Sequence, residues 1–376
     1  GSFTGALVKE KLFLYLGAAN FQTLIVPEGR IPTDNIQISD NRTDSFVYEI
    51  RPYWDQRFGD VNLLLSTSFW SIDYDDEELQ DSEERSGRFR LDNFARQQGI
   101  AWQLAYTYRE VDYEISQSWE FQRAELSLGY WINGKVRLFG TGGQETSFDN
   151  LFESNMDADF WETGFQYAPN ERLNLELAVG DRSYGQSYRG SLTSRVRRGF
   201  ISLSYSDGPA TRSELIFDRR PILDKGGLDG VLDESGATDR FVLKRGEILL
   251  DLETAKTEIV FRVFAEDRIN RTTAEGDPLD DERIAVAEFD WSWRVGSRTS
   301  IGFGLGFADR ETLRSLDDGT PVLYDDKITT GTLFATYSFG ERASLRAEYR
   351  RREQSGEPAG VENQETQYRL LVQLSL

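Results

Sequence analysis

ATYSFGERASLRAEYR, residues 335–350, decides how this chain folds. Ala335, Tyr337 and Phe339 fall on one parity, and Leu345, Ala347 and Tyr349 continue that apolar face after the turn Gly340-Glu341-Arg342. Thr336, Ser338, Arg346, Glu348 and Arg350 fall on the other parity. Side chains alternate along a strand, so the stretch reads as a hairpin with one greasy and one charged face. The solvent that meets the greasy face fixes the architecture.

The same alternation recurs along the chain. Ile100, Trp102, Leu104, Tyr106 and Tyr108 share a parity, as do Leu173, Leu175, Leu177 and Val179. Ile301, Phe303, Leu305 and Phe307 oppose Gly302, Gly304 and Gly306, and Tyr368, Leu370, Val372, Leu374 and Leu376 form a last outward row. Short connections at 57–60, 133–135, 169–172, 254–256, 295–298 and 340–342 alternate with long acidic ones at 18–43, 76–85, 149–157, 215–239, 271–282, 313–326 and 355–364. Short turns at one end and long loops at the other belong to a membrane barrel. The expectation is therefore an all-β, transmembrane, antiparallel up-and-down β-barrel of about 18 strands, or about 16 if residues 86–95 are not a strand. It is expected as a single domain, 1–376, in the bacterial outer membrane, with 18–43 and 215–239 as a plug or gate. Trp54, Trp131, Tyr167, Trp293 and Phe339 lie close to short turns and are expected to form an aromatic girdle at one membrane interface.

Composition agrees and excludes much else. The 376 residues carry a formal charge of -21 and contain no Cys and no His. Clustered cations for a phosphate backbone are missing, so nucleic acid is not an expected partner. Without imidazole there is no Ser-His-Asp relay and no His-ligated zinc, and the chain does not read as an enzyme. The runs DYDDEELQDSEE (73–84), DPLDDE (277–282) and LDDGTP (316–321) lack EF-hand spacing; they read as solvated acidic loops, or as points where divalent ions bridge to lipopolysaccharide. Neither a cofactor nor a metal site is assigned. No apolar run reaches the roughly 20 residues of a membrane helix. A mean hydropathy of -0.53 still suits a barrel, whose lumen-facing residues are polar.

With one parity in lipid, the other lines the lumen. It holds Arg109, Arg123, Arg137, Arg182, Arg189, Arg195, Arg197, Arg262, Arg294, Arg346, Arg350 and Arg369, mixed with Glu162, Glu176, Glu258, Asp290 and Glu348. Two readings stand together: guanidinium groups that grip carboxylates or hydroxyls of an acidic glycan through paired N–H donors, or an Arg–Glu ladder that neutralises itself across strands. Inward aromatics, Phe139, Phe160, Trp131 and Phe264, serve either as platforms for sugar rings or as packing for an inserted loop. Trp131 thus falls in both the girdle and the inward set. Gly302, Gly304, Gly306 and Ala308 leave room along one inner wall or permit close backbone approach.

A resemblance rests on residues 158–207, which contain FWETGFQYAPNERLNLELAVGDRSYGQSYRGSLTSRVRRGFISLSYSD. An aromatic-rich strand ends near Pro169, followed by the turn Asn170-Glu171-Arg172, then Gly180, Arg182, Tyr184, Gly185 and Tyr188, then Arg195, Arg197 and Arg198 before Tyr205-Ser206. This stretch resembles the outer-membrane barrel porins associated with exopolysaccharide and exosortase (PEP-CTERM) loci; residues 44–75 match more faintly, so about half the chain is covered. The resemblance implies a pore for export of a secreted polysaccharide, with outer-membrane lipid and lipopolysaccharide, the polysaccharide and periplasmic export proteins as partners. A general or solute-specific porin, and a structural or binding barrel closed by its own loops, are the alternatives. The last strand departs from the usual assembly signal by ending on Leu376.

Overall fold

A computed structural model describes residues 2–9, 11–24, 42–76, 79–93, 98–114, 118–147, 156–211, 240–270, 281–315, 321–340, 343–357 and 361–374. Its strands are β1 (Ser2–Val8), β2 (Leu12–Leu24), β3 (Arg42–Phe58), β4 (Val61–Tyr74), β5 (Ser82–Asp92), β6 (Gly99–Tyr113), β7 (Trp119–Trp131), β8 (Val136–Glu145), β9 (Ala158–Asn170) and β10 (Leu173–Arg182). They continue as β11 (Gly185–Val196), β12 (Gly199–Thr211), β13 (Arg240–Glu253), β14 (Thr257–Asn270), β15 (Glu282–Arg294), β16 (Thr299–Ser315), β17 (Pro321–Ser338), β18 (Ala343–Glu357) and β19 (Val361–Leu374). Each pairs antiparallel with the next in sequence. The chain is an all-β, up-and-down antiparallel barrel.

Exposure separates the two faces of the wall. Ile100, Leu104 and Tyr106 of β6 are exposed while Ala101 and Ala105 between them are buried. Leu305 of β16 is 57% exposed, and Phe307 and Ile301 share its side. The apolar parity therefore points out of the barrel, and it ends abruptly: Glu110 and Asp112 follow Tyr108 on β6, Asp309 and Glu311 follow Phe307 on β16, and Arg351 and Glu353 follow Tyr349 on β18. From Ile100 to Tyr108 the outward row spans about 27 Å along the strand, or roughly 20 Å once tilted, which is near the thickness of hydrocarbon that such a barrel crosses. An outward apolar belt of that height marks a wall set in lipid.

Side-chain oxygens shape several turns beneath the belt. Asn133 Oδ1 accepts the N–H groups of Lys135 (3.2 Å) and Val136 (3.1 Å), and Asn170 Oδ1 accepts those of Arg172 (2.8 Å) and Leu173 (3.1 Å). Gly59 and Gly134 adopt φ of 61° and 62°, the left-handed conformation such tight turns require.

The structure corrects some boundaries. The strand expected at 5–17 is a hairpin, β1 ending at Val8 and β2 beginning at Leu12, with the Lys11 N–H donating to the Val8 carbonyl. Register sets Phe3 opposite Leu16 and Gly5 opposite Leu14, so the outward parity changes from odd to even across the turn, which no single strand permits. β2 to β19 are the eighteen expected strands, and β1 is a nineteenth that pairs with β2 along Leu12–Gly17. Residues 86–95 lie largely in β5. Much of the expected long loops is strand: Ala18–Leu24 completes β2, β16 and β17 pair up to Ser315 and Pro321, and β18 and β19 up to Gly356 and Val361. Charged residues carry the alternation there, so hydropathy does not reveal it. Residues 25–41 and the whole of 215–239 lie outside the described residues.

The girdle also needs correction at one position. Trp54, Tyr167, Trp293 and Phe339 are exposed on the outer face, whereas Trp131 is buried and inward, opposite Arg137. Tyr130, its neighbour, is the exposed outward ring near that turn.

Candidate functional site

The inner wall from β7 to β12 carries a three-tiered arrangement that begins with glycine. Register sets Gly143 of β8 opposite Phe160 of β9, and Gly164 of β9 opposite Phe139 of β8. Phe139 lies against Gly164, where a Cβ would collide with the ring and with the Leu177 carbonyl. Small residues thus let large inward rings lie against the wall. Guanidinium groups then cover the rings: Arg123 stands 4.4 Å and Arg182 5.0 Å from the centroid of Phe160, and Arg137 stands 5.2 Å from Phe139 and 5.7 Å from Trp131. With cations on their faces, these rings are not bare platforms for sugar stacking.

Each guanidinium is held by a carboxylate on its own strand, on the next one or on the next but one. Arg189 donates from Nη2 to Glu162 Oε1 (2.6 Å) and from Nη1 to Glu176 Oε1 (2.7 Å). Arg182 donates from Nε and Nη2 to Glu145, whose Oε1 also accepts the backbone N–H of Ser183 (2.9 Å). Arg123 pairs with Glu125 at 2.6 Å, and Arg137 approaches Glu176 at 3.7 Å. From β6 to β12 the four arginines with Glu125, Glu162 and Glu176 border a cavity of about 440 Å³, which Gln103, Ser127, Thr141, Ser187 and Asp207 complete, while Glu145 is buried behind Arg182.

The rim above this cavity is low. β10 and β11 end in a turn at Ser183 and Tyr184, whereas β12 continues to Thr211. The β11–β12 ladder stops at Gly190 and Tyr205. Asp207 closes the gap beyond it, accepting from Tyr188 N–H (2.8 Å), Ser187 Oγ (2.5 Å) and Tyr184 OH (2.9 Å).

The remaining inward residues of the sequence expectation are dispersed. Arg262 pairs with Glu247 (2.9 Å) beside Phe264, and Glu258 accepts from Ser292 at 3.5 Å. Arg346 and Arg350 both hold Glu348, at 3.0 and 3.3 Å, and Arg369 sits opposite Glu348 on β19. Asp290 lies over Gly304, and Phe334 over Gly302 with Arg346 stacked 3.9 Å above it. The room left by those glycines is therefore filled by neighbours. Arg109 stacks on Trp119 at 5.6 Å and lines a separate cavity with Glu49 and Glu84. Arg195 and Arg294 are exposed near strand ends, and Arg197 lies in the β11–β12 turn rather than on the wall.

Sequence reasoning missed Glu145, Arg245, Glu266, Arg268, Glu282, Arg310 and Asp326. Arg268 is buried between Glu266 (2.6 Å) and Glu282 (2.8 Å), and Arg310 holds Asp326 at 2.7 Å. Parity counted to the strand ends would have found them, because each follows the inward row above the apolar belt.

No family model matches the chain, and no curated protein matches it. Solved barrels share its general form: OccK1 (OpdK) of Pseudomonas aeruginosa at 9% identity, covering 99% of this chain and 98% of that one with a TM-score of 0.39. The siderophore receptor PirA of Acinetobacter baumannii follows at 9% identity, 99% and 69% coverage and a TM-score of 0.45. OmpT of Vibrio cholerae gives 8% identity, 98% and 99% coverage and a TM-score of 0.33. At these values no function transfers; the fold rests on the chain's own strands and belt.

Proposed function

We propose that the chain is an outer-membrane porin through which small polar solutes diffuse passively. The observation that carries this reading is the cross-strand lattice of Arg–carboxylate pairs on the inward parity, exemplified by Arg189 between Glu162 and Glu176. A wetted lumen solvates such a wall, while a membrane protein with a dry interior would face the desolvation cost of every ion. Uptake of graded neutral solutes by liposomes containing the purified chain tests it: permeation with a sharp size limit is expected, and impermeability to solutes of every size would overturn it.

Export of an exopolysaccharide is the finer reading, supported by the resemblance over residues 158–207, the stretch that supplies Glu162, Glu176, Arg182 and Arg189 to the cavity. The upper inner wall weighs against a wide polymer path, because Ile72, Phe264, Ile284, Ile328, Arg268 and Arg310 are all almost fully buried. The plug role expected of 18–43 is confined to 25–41, because 18–24 and 42–43 are strand, and with that of 215–239 it belongs to the same proposal. Deleting 215–239 should raise single-channel conductance severalfold if that segment obstructs the lumen; unchanged conductance would remove it from the plug.

A further inference from the structure

We infer that the cavity lined by β6 to β12 is a binding subsite for a neutral, hydroxyl-rich solute of sugar type, and that it discriminates against anions of the same size. The inference rests on the porin reading for access but not for binding. The site's charges decide it. Arg123, Arg137, Arg182 and Arg189 face Glu125, Glu145, Glu162, Glu176 and Asp207, and the pairing distances show the positive charge already spent. An anion would either pull a guanidinium from its partner or add negative charge to a set in which five carboxylates already face four cations. Glu145 is fully buried and Glu162 nearly so, and a carboxylate left there uncompensated is strongly destabilising.

A hydroxyl asks for no such exchange. It donates to a carboxylate lone pair that the ion pair leaves open and accepts from a guanidinium N–H that points elsewhere, so both pairs survive. An accessible valence is present at Arg189, which remains 46% exposed while doubly bound. Ser127 and Thr141 add hydroxyls 2.7 Å apart, and Gln103 reaches Glu125 at 3.2 Å. Alternating donors and acceptors on a wall whose cations are all paired, with one carboxylate in excess, match adjacent hydroxyls of a sugar ring. The volume falls within the range of small-molecule sites.

Two measurements on the full chain test this. Isothermal titration in detergent with a neutral disaccharide and with glucuronate reads binding, and current block in planar bilayers reads access. The neutral sugar is expected to bind about tenfold more tightly than glucuronate. Glu162→Gln, which frees positive charge on Arg189, should narrow or reverse that ratio, and Ser127→Ala should weaken the neutral sugar alone. Glucuronate binding as tightly as the neutral sugar to the wild-type chain, or neither binding, overturns the inference even if the pore conducts. Sugar binding without conduction supports the subsite and sinks the porin reading instead.

Discussion

At the scale of single residues, the inner wall is a set of exchanges between glycine, ring and ion pair, and each can be broken separately. Arg182 and Glu145 have side-chain exposures of 7% and 0%, so Glu145→Ala leaves a buried cation with no partner. The expected loss is about 3–5 kcal/mol, read from urea unfolding of the barrel in lipid, with Glu145→Gln costing less because it still accepts a hydrogen bond. Gly302 tests the other exchange. A Cβ there meets the ring of Phe334 and the carbonyl of Trp291, so Gly302→Val should cost about 1–3 kcal/mol in the same measurement and disturb the stacking of Arg346. The sequence made the inward parity legible but not these pairings: that Arg182 meets Glu145 depends on two strands that are not adjacent, and alternation says nothing about such contacts.

At the scale of strands, one hairpin carried most of the fold. Ala335 and Tyr337 lie opposite Ala347 and Leu345, and Phe339 donates its N–H to the Ala343 carbonyl, as the alternation implies. Legibility ended where the outward residues became charged, because Asp309, Glu311, Asp325 and Lys327 continue β16 and β17 without any change in hydropathy from a loop. It also failed at Trp131, since proximity to a turn does not fix which face a ring occupies; counting parity from Leu126, Leu128 and Tyr130 does. The belt predicts a positional contrast on β16. Leu305→Arg sets a cation at mid-belt and should cost about 2–4 kcal/mol of folding free energy in vesicles, whereas Asp309→Arg above the belt should cost no more than about 1 kcal/mol. Equal costs at the two positions would mean that the belt does not mark the hydrocarbon boundary.

For the whole molecule, the net charge of -21 and the paired lumen make opposite forecasts for ion flow. If the mean charge governed permeation, the pore would be strongly cation-selective under all conditions. The inner wall argues otherwise, since the guanidiniums of Arg189, Arg262 and Arg346 are each neutralised within about 3 Å by carboxylates on the same face. The acidic excess is carried largely by the segments that join strands at the long-loop end, such as residues 75–81 and 271–281. Screening separates these contributions, because the Debye length is about 3 Å at 1 M salt and about 30 Å at 0.01 M. The reversal potential of the reconstituted barrel across a potassium chloride gradient should therefore lie near zero at molar salt. It should move toward cation preference as the salt is diluted and the acidic segments come within range of the permeating ion. Strong selectivity that persists at molar salt would place unpaired charge on the pore lining and remove the self-neutralised ladder as the surface that solutes meet.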